Sequence, residues 1–236
     1  MSFSLIVPIA ANKKEYEKRI PEEFLLTQDG LMRCVKAIMG IDLTHFHHIY
    51  FTVLREHSER YCLKNLLELQ FKRLGLKEAM VVELEHYMQS QPETVYETIK
   101  QTGISDCFMV KDADCYLEGE IQPENSIAVF PLEKLEWVDP QHKSYVAVDD
   151  MSYITNIIEK RIISHYFCAG AYVFESTDDY CQCFESLKHN ETLYLSHIIY
   201  KMLLQGNIFR PIVAKSYIDF NTVSYTHLTL PTICSV

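Results

Sequence analysis

The chain is poor in glycine: 236 residues hold seven, and none precedes Gly30. No glycine-rich turn can follow the first apolar segment, which removes a common way of wrapping backbone amides round a phosphate. Long apolar runs are also missing. The N-terminal run from Phe3 to Ala11 is too short to span a bilayer, and no basic segment precedes it as in an export signal. Positive charge is scarce, with 22 Lys and Arg against 32 Asp and Glu and a formal net charge of -10. That balance argues against nonspecific binding to nucleic acid or to an anionic membrane, while leaving room for a phosphorylated substrate held by a few local cations. The eight cysteines lack metal-clip spacing, and Cys181 and Cys183 stand too close for a CxxC pair. Free thiols suit a reducing compartment, so the expected location is the cytoplasm.

What is present suits one mixed domain. Apolar residues make up 48% of the chain and aromatics 12%, enough for a packed core. Continuous apolar runs predict buried strands over Ser4 to Ala10, His48 to Leu54, Ala79 to Leu84 and from Cys107. Helical patterns separate them over Leu31 to Met39, Glu56 to Leu74, and Thr94 to Gln101, the last with Thr94 as its N-cap. Alternating strands and helices imply parallel crossovers and a sheet covered on both faces. After residue 115 the rhythm changes. Strands are predicted over Ser126 to Pro131, Ser144 to Val148, Tyr153 to Glu159, Ala169 to Phe174 and Ile208 to Ala214. Pro211 marks the last of these as an edge or a bulge. Helices are expected over Thr177 to Leu187 and Leu193 to Leu204.

The strongest chemical signal is CFMVKDADCYL, Cys107 to Leu117. A short apolar strand ends in two acids, Asp112 and Asp114, which extended geometry would turn to one side. Hard carboxylate oxygens at the carboxyl end of a strand suit a magnesium-phosphate complex, at the edge where open α/β sheets bind ligands.

Residues Lys143 to Ser176 extend the reading. KSYVAVDD, a strand ending in Glu159-Lys160, and then Ala169-Gly170-Ala171-Tyr172 resemble the sugar-phosphate nucleotidyltransferases. The helix Leu193 to Gly206 and the segment Tyr217 to Thr222 continue the resemblance, the latter to a Trp-x-Asp-x-Gly-Thr pattern. It implies a three-layer α/β/α sandwich with a mostly parallel mixed sheet, a Rossmann-like nucleotidyltransferase fold. Residues 1–222 would form one domain, with a nucleotide-binding half over 1–115 and a sugar-phosphate-binding half over 116–222. It also implies the reaction: an NTP and a sugar 1-phosphate give a nucleotide sugar and pyrophosphate, with Mg2+ as cofactor and surface-polysaccharide synthesis as the usual setting. Asp112, Asp114 and Asp219 would hold the metal. Ala10, Ala11, Asn12, Gln89, Gln91 and Thr94 would meet the nucleotide, with an amide of Gln89 or Gln91 on the base edge. Glu159 would accept from sugar hydroxyls, Lys160 would meet phosphate, and Gly170 would admit a close approach by the sugar or mark a bulge.

The chain also departs from that family. Ala10-Ala11-Asn12-Lys13-Lys14 stands where a Gly-x-Gly-x-Arg loop belongs, the loop's usual lysine falls near Glu23, and Arg161 replaces a proline. Lys13, Lys14, Lys18 and Arg19 are the cations placed to substitute. Two other functions stay open: a metal-dependent glycosyltransferase that consumes a nucleotide sugar, and a non-catalytic binder of nucleotides or sugar phosphates. Oligomeric state is open as well, a homo-oligomer included. Val223 to Thr232, VSYTHLTLPT, matches the translation of a transposon-end sequencing adapter, so 223–236 are expected to be a non-native tail on a truncated gene.

Overall fold

The structure is a computed structural model that describes residues 2–10, 20–135 and 143–221. Its first half winds through β1 (Phe3–Pro8), α1 (Arg33–Ile38), β2 (His48–Leu54), α2 (Arg55–Tyr61), α3 (Leu63–Leu74), β3 (Ala79–Leu84), α4 (Gln91–Thr102) and β4 (Cys107–Lys111). The second half adds β5 (Cys115–Glu118), β6 (Ser126–Pro131), β7 (Ser144–Val148), β8 (Ile154–Glu159), β9 (Tyr166–Phe174), α5 (Thr177–Leu187), α6 (Leu195–Leu204), β10 (Arg210–Val213) and β11 (Ser216–Asp219).

The main sheet runs β10-β6-β9-β4-β1-β2-β3, with β7 joined to β9 and β8 to β7. The pairings β1–β2, β2–β3, β1–β4 and β6–β10 are parallel, whereas β9 lies antiparallel to β4 and β6. β1 therefore has its successor β2 on one side and β4 on the other. Crossovers leave in opposite directions at that point, which opens a crevice at the carboxyl ends of β1 and β4.

Pleating distributes β1 between two cores. Leu5 and Val7 join one cluster with Cys34 and Val35 of α1 and with Leu67 and Phe71 of α3. Ile6 joins the other, with Val95 of α4, Tyr180 of α5 and Ile198 of α6. Both faces are thus covered, which explains why the parallel strands are apolar throughout instead of alternating.

Several boundaries differ from the expected ones. The helix expected over Glu56 to Leu74 is two, broken at Cys62, which takes a left-handed φ of 54°. Helix α4 begins at Gln91, not Thr94: the Ser90 hydroxyl accepts from the Glu93 amide as N-cap, and Pro92 fits the first turn, where its missing N–H costs nothing. β5 and β11 form a separate antiparallel ribbon that pairs Asp219 with Cys115. As Pro211 suggested, β10 is an edge strand.

Candidate active-site cleft

β4 stops at Lys111, so Asp112 and Asp114 are not aligned by strand pleating. A turn through Ala113 brings them together, and Lys111 ties that turn shut. Its side chain is fully buried, and its ammonium donates to the carbonyls of Asp112 (2.8 Å) and Cys115 (2.8 Å) and to the Cys115 sulfur (3.3 Å). Removing the ammonium would leave those carbonyls buried with a lost partner. Lys111→Met is expected to cost about 3 kcal/mol in a chemical-denaturation measurement. A loss below about 1 kcal/mol would mean that the turn holds itself without the lysine.

The ligand atoms of Asp112, Asp114 and Cys115 all lie within 4.8 Å of one another. Burial first, and then the Asp114 charge, push the Asp112 carboxyl above the usual range, although Lys111 and the Gln91 amide pull the other way. Burial raises the Cys115 thiol to about 12, against the pull of Lys111. Two crowded carboxylates of this kind are relieved by a cation, and their hard oxygens fit a divalent one. The thiol itself donates to the Ala169 carbonyl at 3.4 Å.

Gly170 is what lets this turn sit against β9. Its φ is +80°, and a Cβ there would lie 2.5 Å from the Cys115 sulfur and 2.8 Å from Asp112 Oδ2. The register between β6 and β9 also shifts opposite it. The glycine is therefore both an irregularity in the strand and a point of close approach, and the group that approaches is the Asp112–Cys115 turn.

These residues line a cleft of about 500 Å³. On the β1 side it takes in Pro8, Ile9 and Glu23, with Gln89, Ser90 and Gln91 from the start of α4. Gln91, expected on a base edge, instead donates its amide to Asp112 Oδ1 at 2.6 Å. Gln89 is exposed, and its backbone amide donates to Glu93 at 2.5 Å. Thr94 lies within α4, fully buried, and returns its hydroxyl to the Ser90 carbonyl, and Ala10 is buried too; neither is among the lining residues. Ala11, Asn12, Lys13, Lys14, Lys18 and Arg19 lie outside the described residues.

Across the cleft stands the end of the β7–β8 hairpin. Glu159 Oε2 accepts from the hydroxyls of Ser144 on β7 and Ser196 on α6, the latter at 2.7 Å. Lys160 has a left-handed φ of 58°, and its ammonium donates to the Tyr194 hydroxyl at 2.7 Å, 4.7 Å from that ring's centre. Lys143, next to Lys160 at the hairpin base, donates to Asp219 Oδ2 at 2.6 Å and to the Tyr217 hydroxyl at 2.5 Å. Asp219 does not belong to the Asp112–Asp114–Cys115 group. The Asn221 side chain links the two regions, donating to Asp114 Oδ2 at 3.3 Å.

Sequence reasoning did not single out Lys143, Ser196 or Tyr194 as site residues. All three lay within the segments that carried the resemblance. Only the fold shows that the start of β7, antiparallel in its setting, lies at the carboxyl edge of the parallel strands.

No family model matches the chain, and no curated protein sequence matches it. Solved structures do. A UDP-glucose pyrophosphorylase complexed with UDP-glucose superposes with a TM-score of 0.68 at 14% identity, covering 94% of both chains. The inositol-1-phosphate CTP transferase of T. maritima gives 0.67 at 20% identity, over 93% of this chain and 89% of that one. A nucleoside-diphosphate-sugar pyrophosphorylase from Vibrio cholerae RC9 gives 0.64 at 14% identity, over 89% and 91%. The chain has the three-layer nucleotidyltransferase fold that these solved structures share.

Proposed function

We propose that this chain transfers a nucleotidyl group from an NTP to a sugar 1-phosphate, forming a nucleotide sugar and pyrophosphate. The observation that carries the reading is the pairing of two ends of one cleft. Asp112 and Asp114 sit at the switch point between β1 and β4, and Glu159, Lys160 and Ser196 face them from the hairpin and α6. One end suits a metal-bound triphosphate and the other a hydroxylated phosphate ester. The fold's solved neighbours include pyrophosphorylases.

Asp112 and Asp114 would hold a magnesium ion, which would offset charge gathered on the phosphates during in-line displacement. Glu159, held by two serine hydroxyls, is oriented to accept from a sugar hydroxyl. Lys160 supplies charge for the sugar phosphate, with Tyr194 positioning it. Gln89 is the remaining amide for a base edge. Lys13, Lys14 and Arg19 are assigned to the triphosphate, and Asp219 to the margin of the metal site. In the reaction, a sugar-phosphate oxygen bonds to the α-phosphorus as the bond to the β-phosphate oxygen breaks, and pyrophosphate carries off the electron pair. Among the described residues no helix is long and apolar enough to cross a membrane. A cytoplasmic role in supplying donors for surface polysaccharide agrees with this reading.

The test is pyrophosphate release by the purified chain from a panel of NTPs and sugar 1-phosphates with magnesium. Release that requires both substrates is expected. A second reading draws on Glu23, a buried acid lining the cleft where the family resemblance places a lysine: the chain would bind the same ligands without turnover. Ligand-induced thermal stabilisation with no pyrophosphate from any pair would select it.

A further inference from the structure

We infer that Lys143 is a cation that meets the triphosphate in this cleft, and that Asp219 is its anchor and not a second metal ligand. The inference rests on the nucleotidyltransferase reading for the identity of the phosphate, but its test reads phosphate and metal binding apart from turnover.

The geometry around the two residues is specific. Lys143 lines the cleft with its side chain 16% exposed, and the Asp219 side chain that receives it is 13% exposed. An ammonium has three donors. One goes to Asp219 Oδ2 at 2.6 Å and one to the Tyr217 hydroxyl at 2.5 Å. A third is left for a ligand. The Tyr217 ring lies behind that hydroxyl, with its centre 5.1 Å from the ammonium. β11 pairs with β5 so that Asp219 stands opposite Cys115, which places the Lys143 charge close enough to act on Asp112. Lys143 and the acidic pair line the same cleft, so a phosphate held beside that pair would come under this charge.

Asp219 has the bonding of an anchor. Its Oδ2 accepts from Lys143, its Oδ1 accepts from the Asn221 backbone amide at 2.9 Å, and it stands outside the group of mutually close ligand atoms. Among the described residues, no other lining lysine is equally placed. Glu23 fills the position expected of the loop lysine, and Lys160, the other lysine lining the cleft among the described residues, is held by Tyr194. A cation already desolvated and fixed costs little further ordering when the phosphate arrives. Lys143 donates a charge-assisted hydrogen bond to a phosphate oxygen and exchanges no proton, so the bond changes of the reaction are unaltered.

Calorimetric titration with inorganic tripolyphosphate and Mg2+ tests the cation, and Mn2+ binding followed by electron paramagnetic resonance, without phosphate, tests the anchor. Lys143→Met is expected to weaken tripolyphosphate binding about 10- to 100-fold, the worth of a charge-assisted hydrogen bond. Lys100→Met, an exposed lysine outside the cleft, should leave it unchanged. Because Lys143→Met strands a poorly exposed carboxylate, the double variant Lys143→Met/Asp219→Asn removes both charges and should melt like the parent while showing the same loss. Asp219→Asn alone should keep Mn2+ affinity within about twofold of the parent, whereas Asp114→Asn lowers it at least about tenfold.

Parent-like tripolyphosphate binding by the double variant overturns the inference. So does a failure of the parent chain to bind tripolyphosphate, or a tenfold loss of Mn2+ affinity in Asp219→Asn. If no NTP yields pyrophosphate while these binding results hold, the nucleotidyltransferase reading fails and the phosphate site stands.

Discussion

Asp114→Asn is expected to lower kcat/KM for pyrophosphate release by about a hundred- to a thousandfold without lowering the melting temperature. The two halves of that result have one cause. Asp112 and Asp114 lie within one small group of ligand atoms, and the Asp114 charge adds to burial in pushing the Asp112 carboxyl up. The folded chain therefore bears a repulsion that Lys111 and Gln91 offset in part and a bound cation would relieve further. Replacing Asp114 by its neutral isostere removes the repulsion and, with it, half of the hard-oxygen site. The side-chain oxygen of Asn can still accept from Asn221, which donates to Asp114 Oδ2 at 3.3 Å. The fold should keep its hydrogen bond and gain a little stability as one of two crowded charges disappears. A surface acid would behave differently, with stability and activity both nearly unmoved. Steady-state kinetics beside a thermal melt separates the cases, and full activity in Asp114→Asn would end the metal assignment.

The acids could be read in sequence because an apolar strand ran straight into them. The same holds for elements whose edges are marked by composition. His48–Leu54, Ala79–Leu84, Ser126–Pro131, Ser144–Val148 and Thr177–Leu187 have the bounds their residues predict. Each is a dense apolar or amphipathic run closed by polar residues. The break at Cys62 could not be read this way. Neither glycine nor proline marks it, and a left-handed φ at an exposed cysteine has no signature in composition. The β5–β11 ribbon was missed because its strands are four residues each and stabilise only by pairing across a long separation.

Partners within the site follow the same rule. Gln91 and Asp112 are 21 residues apart, and Lys143 and Asp219 are 76 apart. A residue's chemistry is visible in sequence, but the group that will occupy its donors is not. Gln91 therefore read as an amide free for a base, whereas the fold commits it to a carboxylate. Lys111 carried no role in the sequence reading, whereas its full burial makes it the tie of the turn that presents the two acids.

Gly170→Ala is expected to destabilise the chain by about 4 kcal/mol and to weaken divalent-cation binding in whatever folded protein remains. Two costs combine. A φ of +80° is strained for any residue with a Cβ, worth about 1–2 kcal/mol. The new methyl would also stand 2.5 Å from the Cys115 sulfur, 2.8 Å from Asp112 Oδ2 and 3.0 Å from Asp112 Cβ. Neither neighbour can yield cheaply. The sulfur is held between Lys111 and the Ala169 carbonyl, and the carboxylate is held by Gln91. Overpacking of this kind costs about 1–3 kcal/mol more. The turn must then swing away from β9, carrying Asp112 off Gln91 and out of register with Asp114. A double-variant cycle separates the contributions. Cys115→Ala removes the nearest obstacle, so Gly170→Ala/Cys115→Ala should recover part of the stability, while the left-handed strain and the displaced carboxylate persist. Denaturant melts and Mn2+ titration of the four proteins read both effects. If Gly170→Ala melts with the parent and binds Mn2+ equally, the close seating of the Asp112–Cys115 turn on β9 is not what fixes the acids.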